Sequence, residues 1–198
     1  MTSTGLLFGS FNPVHIGHVA IAGYMKEFEG LDEIWFIVSP RNPFKSSGLL
    51  VSPAARLEMT RLAINHYPAF SASDFEFNMP LPSYTIHTLE KLSGEYPGRD
   101  FRLILGTDNI ESIGHWKGGK TLVKDYKFLF YPRPGTENAS LSIFRNARIT
   151  DAPLIEVSST FIRESIQAGK NMRAFVPSES WDYIEKNGFY SGKPHVGG

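Results

Sequence analysis

Short apolar runs alternate with longer stretches of helical spacing along this chain. Residues 5–8 and 33–38 predict buried strands, and the spacing of apolar positions over residues 19–28 predicts a helix between them. Further strands are predicted at residues 70–73, 101–105, 127–131 and 149–157, and further helices at residues 53–66, 83–92, 159–168 and 179–187. Strands that alternate with helices build a mostly parallel sheet covered on both faces, so the predicted fold class is doubly wound α/β.

Length and composition fit one hydrophobic core better than two. The chain has 198 residues, of which 41% are hydrophobic and 13% aromatic, and this is enough to bury a sizeable core. We find no repeat, low-complexity tract or linker in the sequence. Residues 1–190 are therefore predicted to form one domain, and the polar, glycine-rich residues 191–198 a flexible tail.

Charge and cysteine content exclude several classes of function. Twenty basic residues balance twenty acidic ones, so no overall field attracts nucleic acid or an anionic membrane, and neither partner is expected. The absence of cysteine excludes disulfides, thiolate metal sites and a cysteine nucleophile, in agreement with a reducing compartment. Because no leader-like or membrane-spanning stretch is evident, the expected location is the cytoplasm.

The first chemical signal directly follows the first predicted strand. The segment reads Gly9-Ser-Phe-Asn-Pro-Val-His-Ile-Gly-His18 and leads into a helix, at the ligand-binding corner of a parallel sheet. Glycine lets the backbone approach a ligand, and a helix N-terminus offers unpaired N–H groups that favour a phosphate. The imidazoles of His15 and His18 add donors, and Gly17 between them leaves room for the ligand. A purely structural turn and a histidine metal pair are the alternatives, and the lack of cysteine and of a nearby carboxylate counts against the metal.

A second anion site is predicted near the other end of the chain. In Val157-Ser-Ser-Thr-Phe-Ile-Arg163 a strand meets a helix, whose first turn carries the hydroxyls of Ser158, Ser159 and Thr160. Arg163 lies one turn along and has a guanidinium fork suited to phosphate. Taken alone, the segment is more typical of a simple capped helix.

Together the two segments resemble the signatures of the HIGH-motif nucleotidyltransferases. The first is similar to the H-x-G-H motif and the second to the I-S-S-T-x-I-R motif, in the right order. The resemblance implies a Rossmann-like fold, two histidines that stabilise charge on the ATP α-phosphate, and a second segment that holds the β- and γ-phosphates. The residues expected to be catalytic are His15, His18 and Arg163, and those expected to bind ATP are Gly9, Ser10, Phe11, His15, Gly17, His18, Ser158, Ser159, Thr160 and Arg163.

Further segments narrow the resemblance to the nicotinate mononucleotide adenylyltransferases. Residues 83–89 are similar to the family's S-Y-T-x-x-T-L run, and residues 101–109 are similar to its strand followed by Gly-x-Asp, with a tryptophan downstream. The resemblance implies that the aspartate binds ribose and that the tryptophan stacks on the pyridine ring. Without these neighbours, Asp108 would be as typical of a helix cap, and Trp116 of a core aromatic. The residues expected to bind the mononucleotide are Asn12, Lys45, Thr85, Gly106, Asp108 and Trp116.

The chain departs from the family pattern at two places. The family usually has Asp where Asn12 stands, and its P-P-H-K-like loop appears here as Asn42-Pro-Phe-Lys45. The S-F-N-P form is found in nicotinamide-preferring relatives, so the sequence leaves the acid or amide form of the pyridine open, although the family favours the acid. Lys45 fits a substrate phosphate and equally a solvated loop position.

The reaction that the resemblance implies transfers AMP from ATP to nicotinate mononucleotide, giving nicotinate adenine dinucleotide and pyrophosphate in NAD biosynthesis. The acceptor phosphate is already ionised near neutral pH, so it needs positioning and cationic donors rather than a general base. Mg²⁺ is expected to arrive with ATP, without a dedicated protein site. ATP and the mononucleotide are the expected partners, and the existence of a homo-oligomer stays open. The alternatives are a nicotinamide mononucleotide acceptor, a phosphopantetheine adenylyltransferase and a non-catalytic nucleotide sensor.

Overall fold

A parallel sheet organises the part of the chain that the computed structural model describes, residues 1–40 and 50–191. Its strands are β1 (Thr2–Gly9), β2 (Glu33–Val38), β3 (Phe70–Ser73), β4 (Arg99–Gly106), β5 (Lys127–Tyr131) and β6 (Asn146–Ile149). They lie in the order β3-β2-β1-β4-β5-β6, and every neighbouring pair is parallel. The order reverses at β1, which lies between β2 and β4, and open α/β sheets bind ligands at the carboxyl ends of the strands at such a point.

Seven α-helices connect and cover these strands within the described residues. They are α1 (Ile16–Phe28), α2 (Pro53–Ile64), α3 (Thr85–Glu95), α4 (Ile110–Ile113), α5 (Gly119–Asp125), α6 (Ser159–Gln167) and α7 (Ser178–Asn187). Short 3₁₀ turns lie at Phe75–Asn78, Thr107–Asn109 and Arg173–Phe175. In residues 1–40 and 50–191 no helix has the length and apolar character needed to cross a membrane.

The pleat of β1 divides the interior into two hydrophobic clusters, because neighbouring side chains of a strand point to opposite faces. Leu7 packs in the cluster that contains Met25 of α1, together with apolar residues of α2, α6 and α7. Leu6 packs in the other cluster, which contains Leu89 of α3 and Leu122 of α5. Both faces of the sheet are therefore covered, which confirms the predicted doubly wound α/β fold.

Most predicted elements are found close to their predicted bounds, and those at β3 and β5 match residue for residue. The prediction of a strand over residues 149–157 was wrong, because β6 ends at Ile149. Thr150 donates its N–H to the carbonyl of Phe130 at 2.8 Å, and beyond it Pro153 has no N–H for the ladder. Residues 150–158 instead run as irregular chain towards α6.

Two local predictions missed helical residues. The first helix was predicted from residue 19, but α1 begins at Ile16, because the N–H groups of His18 and Val19 both bond the carbonyl of His15. The short helices α4 and α5 were not predicted, since four and seven residues are too few for a periodic pattern. His15 is therefore the N-cap of α1, and His18 lies in its first turn.

Candidate active site

A small cavity lies at the carboxyl edge of the sheet, between the opening turns of α1 and α6. Its volume is about 160 Å³. Leu7 and Tyr131 form its floor at the ends of β1 and β5, and Ile155 and Val157 line it from the irregular segment before α6. The residues of the two sequence motifs that line this cavity, called the phosphate cavity below, are His15, Gly17, His18, Ser158, Ser159 and Thr160.

The two histidines of the first motif form a stacked pair. Their ring centroids lie 3.7 Å apart with an angle of 28° between the planes. The backbone N–H of His15 donates to Nδ1 of His18 at 3.2 Å, so the neutral His18 ring carries its proton on Nε2. Phe11, which is buried, meets His18 edge-on at 5.0 Å. The Phe11 ring therefore supports the His18 imidazole, and the expected contact of Phe11 with ATP remains a prediction.

His15 is held in its neutral form by its surroundings. Burial, with a smaller contribution from the positive charge of Arg133, lowers the pKa of His15 from 6.5 to about 4. Its Nδ1 is buried and has no hydrogen-bond partner among residues 1–40 and 50–191. At neutral pH the His15 imidazole is therefore uncharged, so it adds no positive charge beside the stacked His18 ring.

The lowered pKa of His15 predicts a specific loss of stability in acid. The unfolded chain takes up a proton near pH 6.5, whereas the folded protein does so only near pH 4, so protons favour unfolding between these values. The free energy of unfolding should lose about 3 kcal/mol from this residue as the pH falls from 7 to 4. Urea unfolding at several pH values should show a shallower acid loss for His15→Gln than for the unchanged protein, and parallel curves would contradict the assignment.

The second motif is joined to the first by side-chain hydrogen bonds. Ser159 Oγ donates to the carbonyl of Pro13 at 2.9 Å, and Arg163 Nη1 donates to the carbonyl of Asn12 at 2.8 Å. Ser158 caps α6 by accepting the N–H of Phe161 at 3.1 Å, while other N–H groups of the first turn have no intrahelical partner. Two segments about 150 residues apart in sequence thus share one cavity.

Arg163 helps to join the two motif segments in the structure. Besides its bond to Asn12, its Nη2 donates to Thr160 Oγ1 at 3.2 Å. Arg163 is not among the described residues that line the phosphate cavity. Its guanidinium therefore positions the loop before α1, and its predicted contact with ATP remains a prediction.

A second and larger cavity adjoins the first. Its volume is about 630 Å³, within the range of small-molecule sites, and Leu7 and Tyr131 line both cavities. The larger one, called the acceptor cavity below, lies over the carboxyl edges of β1 and β4 and reaches the first residues of α3. Four of the residues predicted for substrate binding line it, namely Gly9, Thr85, Gly106 and Trp116.

Two of the other predicted mononucleotide ligands, Asn12 and Asp108, are not among the described residues that line this cavity. Asn12 is only 4% exposed, and its Oδ1 accepts the N–H of Val51 at 3.2 Å and the hydroxyl of Tyr190 at 2.8 Å. The Asn12 side chain therefore holds the loop together, and its expected contact with the mononucleotide stays a prediction. Asp108 is exposed and lies 4.0 Å from Nε of Arg133 without lining either cavity. Lys45 lies outside the described residues.

Arg133 is a site residue that the sequence analysis missed. It follows β5 and lines the phosphate cavity. Its backbone is fixed at both ends, because its N–H donates to Thr107 Oγ1 at 2.8 Å and its carbonyl accepts the hydroxyl of Thr136 at 2.7 Å. A Cβ on Gly106 would lie 2.9 Å from Arg133 Cγ, so glycine leaves room for this side chain. The sequence signal that could have identified Arg133 is a positively charged residue shortly after a buried strand, at the same sheet edge as the motifs.

Arg56 is a second functional element that the sequence analysis missed. This arginine on α2 is fully buried. Its guanidinium donates to the carbonyls of Ser10, Ser39, Pro40 and Val51. It therefore ties the ends of β1 and β2 to the start of α2. Ser10, predicted to bind ATP, contributes its carbonyl to this cluster and is not among the residues that line the phosphate cavity.

The described residues contain no group of three or more His, Asp or Glu side chains that could hold a metal ion. The carboxylate of Asp108 lies 4.0 Å from Nε of Arg133. Arg133, His15 and His18 line the phosphate cavity, and a magnesium ion entering with ATP remains a prediction.

A doubly wound parallel sheet whose reversal point holds two converging anion-binding segments is the architecture of a nucleotidyltransferase. The sequence model of the cytidylyltransferase-like family matches residues 6–165. A relative from Bacteroides fragilis, named "Probable nicotinate-nucleotide adenylyltransferase", is 50% identical over 175 residues, 88% of this chain and 87% of its own length. A relative of the same name from Flavobacterium johnsoniae is 43% identical over 188 residues, 94% of this chain and 97% of its own. The chain belongs to the nicotinate-nucleotide adenylyltransferases within the cytidylyltransferase-like family.

A solved structure supports the fold independently. The nicotinic acid mononucleotide adenylyltransferase of Plasmodium falciparum, complexed with NaAD, superposes with a TM-score of 0.83. The match covers 98% of this chain and 99% of that one at 20% sequence identity. At this level of identity the likeness concerns the fold, and it confirms the Rossmann-like arrangement.

Proposed function

We propose that this enzyme transfers AMP from ATP to nicotinate mononucleotide, forming nicotinate adenine dinucleotide and pyrophosphate in cytoplasmic NAD biosynthesis. The observation that carries the proposal is the pair of adjoining cavities, one built for phosphates and one large enough for a nucleotide, with Leu7 and Tyr131 common to both. The close relatives named above support the choice of acceptor.

The phosphate cavity is suited to the triphosphate of ATP. Residues of the first turns of α1 and α6 both line it, so the positive ends of two helix dipoles favour the same anion. His15 and His18 add imidazole donors, and Arg133 adds a full positive charge. We assign the β- and γ-phosphates to the side of Ser158 and Thr160, and the α-phosphate to the side nearer His18.

The acceptor cavity is suited to a mononucleotide with an aromatic base. Its exposed lining is more apolar than that of the phosphate cavity, and Trp116 and Tyr84 offer ring faces. Gly9 and Gly106 let a ligand approach the backbone at the ends of β1 and β4. The acceptor phosphate then points towards Leu7 and Tyr131, where the two cavities meet.

The chemical step follows from this placement. A phosphate oxygen of the mononucleotide attacks the α-phosphorus of ATP, the bond from that phosphorus to the bridging oxygen breaks, and pyrophosphate leaves with the electron pair. The acceptor phosphate, with a second pKa of about 6, is its own nucleophile, so the protein supplies position and donors. His18 Nε2–H stabilises charge on the α-phosphate, and Arg133 opposes repulsion between the two substrates. Mg²⁺ bound to the triphosphate would further neutralise its charge.

The decisive experiment follows pyrophosphate release from ATP and Mg²⁺ with three acceptors offered separately: nicotinate mononucleotide, nicotinamide mononucleotide and phosphopantetheine. Turnover with nicotinate mononucleotide, with the dinucleotide product identified by its mass, is the expected result. A preference for nicotinamide mononucleotide would keep the reaction and change the substrate. ATP binding without turnover of any acceptor would point instead to a nucleotide sensor.

A further inference from the structure

Among the described residues, one lysine lines the acceptor cavity. Lys117 follows Trp116 and lines the acceptor cavity but not the phosphate cavity. Its Nζ lies 4.4 Å from the centroid of the Tyr84 ring. It forms no hydrogen bond or ion pair with any residue in the described ranges 1–40 and 50–191. The ammonium is thus held loosely over an aromatic face and stays available to a ligand.

The same cavity contains a buried carboxyl group, which bears on whether a ligand carboxylate can bind there. Glu76 is only 2% exposed and lines the acceptor cavity. Its Oε2 accepts the hydroxyl of Ser83 at 2.9 Å, and its Oε1 accepts that of Thr88 at 2.7 Å. Within the described part of the chain no basic side chain pairs with this carboxyl group. A ligand carboxylate entering here would meet a like charge unless a cation accompanies it.

The direction of the acceptor places its base beside Lys117. Its phosphate must reach the ATP α-phosphorus, so it lies where the two cavities meet at Leu7 and Tyr131. The base at the other end of the mononucleotide therefore reaches residues that line the acceptor cavity alone, among them Thr85, Trp116 and Lys117. His115, another described residue that lines the acceptor cavity, can also donate a hydrogen bond to a ligand there.

We propose that the ammonium of Lys117 selects the acid form of the pyridine nucleotide by pairing with its ring carboxylate. The proposal rests on the proposed function and adds the residue that decides between acid and amide. The amide has no charge to pair with Lys117, so it loses nothing when the ammonium is removed, whereas the acid loses a charge-assisted hydrogen bond. Lys117 is thereby a specificity-determining residue that plays no part in the chemical step.

The test compares Lys117→Met with Lys120→Met. Lys120 lies on α5, is exposed and is not among the residues that line either cavity, so its variant makes the same charge change away from the site. We expect Lys117→Met to raise the KM for nicotinate mononucleotide by about tenfold, with kcat and the KM for nicotinamide mononucleotide unchanged. Lys117→Arg should restore most of the preference, and Lys120→Met should leave both constants unchanged.

Two outcomes overturn the proposal. If Lys117→Met raises the KM values for both acceptors equally, the ammonium contacts their common ribose phosphate; if neither changes, it contacts no part of the acceptor.

Failure of the proposed function would look different, because the unchanged enzyme would then release no pyrophosphate with either acceptor. In that case calorimetric Kd values for the two mononucleotides decide, and an acid-specific loss of affinity in Lys117→Met supports the proposal while parallel Kd values refute it.

Discussion

Replacement of His18 by alanine is expected to lower kcat by about 10²- to 10³-fold, with little change in the KM for ATP. The His18 ring is oriented by the N–H of His15 at Nδ1 and supported by Phe11, so its Nε2–H is a preorganised donor at the phosphate cavity. A donor of this kind acts mainly on charge that grows in the transition state, and its loss therefore appears in turnover. Pyrophosphate release at saturating ATP and nicotinate mononucleotide measures the effect.

His66→Ala is the matched control for this substitution. His66 is an exposed imidazole whose Nε2 lies 2.7 Å from Glu179 on α7, and it lines neither cavity. Its removal should leave kcat unchanged, since exposed ion pairs contribute little to stability. Circular dichroism should show both variants folded. An unchanged kcat in folded His18→Ala would remove this histidine from the mechanism.

Replacement of Arg56 by methionine is expected to reduce the free energy of unfolding by about 3–5 kcal/mol. The substitution keeps most of the aliphatic volume but leaves four partly buried carbonyls without their donor. These carbonyls belong to the chain that leaves β1 and β2, so the segment carrying His15 and His18 should loosen as well. Urea unfolding at pH 7 measures the stability, and pyrophosphate release measures the accompanying loss of turnover.

Arg61→Met provides the comparison on the same helix. Arg61 is half exposed, and its contact with Glu58 is 4.0 Å long. Its loss should change the free energy of unfolding by less than about 0.5 kcal/mol. Equal stability of the Arg56→Met and Arg61→Met variants would show that the buried guanidinium contributes nothing to holding the strand ends.

The sequence was informative wherever the determining signal is local. Strand β3 is a four-residue segment that begins shortly after Pro68, and β5 is a short apolar run that ends before Pro132; the bounds of both were predicted correctly. The strand predicted over residues 149–157 failed because Ile155 and Val157 are apolar for another reason, namely that they line the phosphate cavity. A hydrophobic pattern alone does not distinguish a strand from a cavity wall.

The sequence motifs of the site could be predicted, but the distant residues that hold these motifs in place could not. His15 and His18 stand in one continuous segment, so sequence spacing alone placed them at the start of a helix. The partners of Asn12, by contrast, come from residues far along the chain, and no local pattern reveals that Tyr190 bonds its side chain. No local sequence pattern reveals, likewise, that Arg163 donates a hydrogen bond to the Asn12 carbonyl.

The bond between Tyr190 and Asn12 has a consequence for the order in which the chain acquires its structure. The two residues are 178 positions apart, and the Tyr190 hydroxyl is buried where it meets Asn12. While a ribosome is still extending the chain, β1 and its following loop have already emerged, but this partner has not. The loop that carries the motif histidines is therefore fully secured only after Tyr190 has been synthesised, so a nascent chain can complete its first strand and helix long before this loop is held in place.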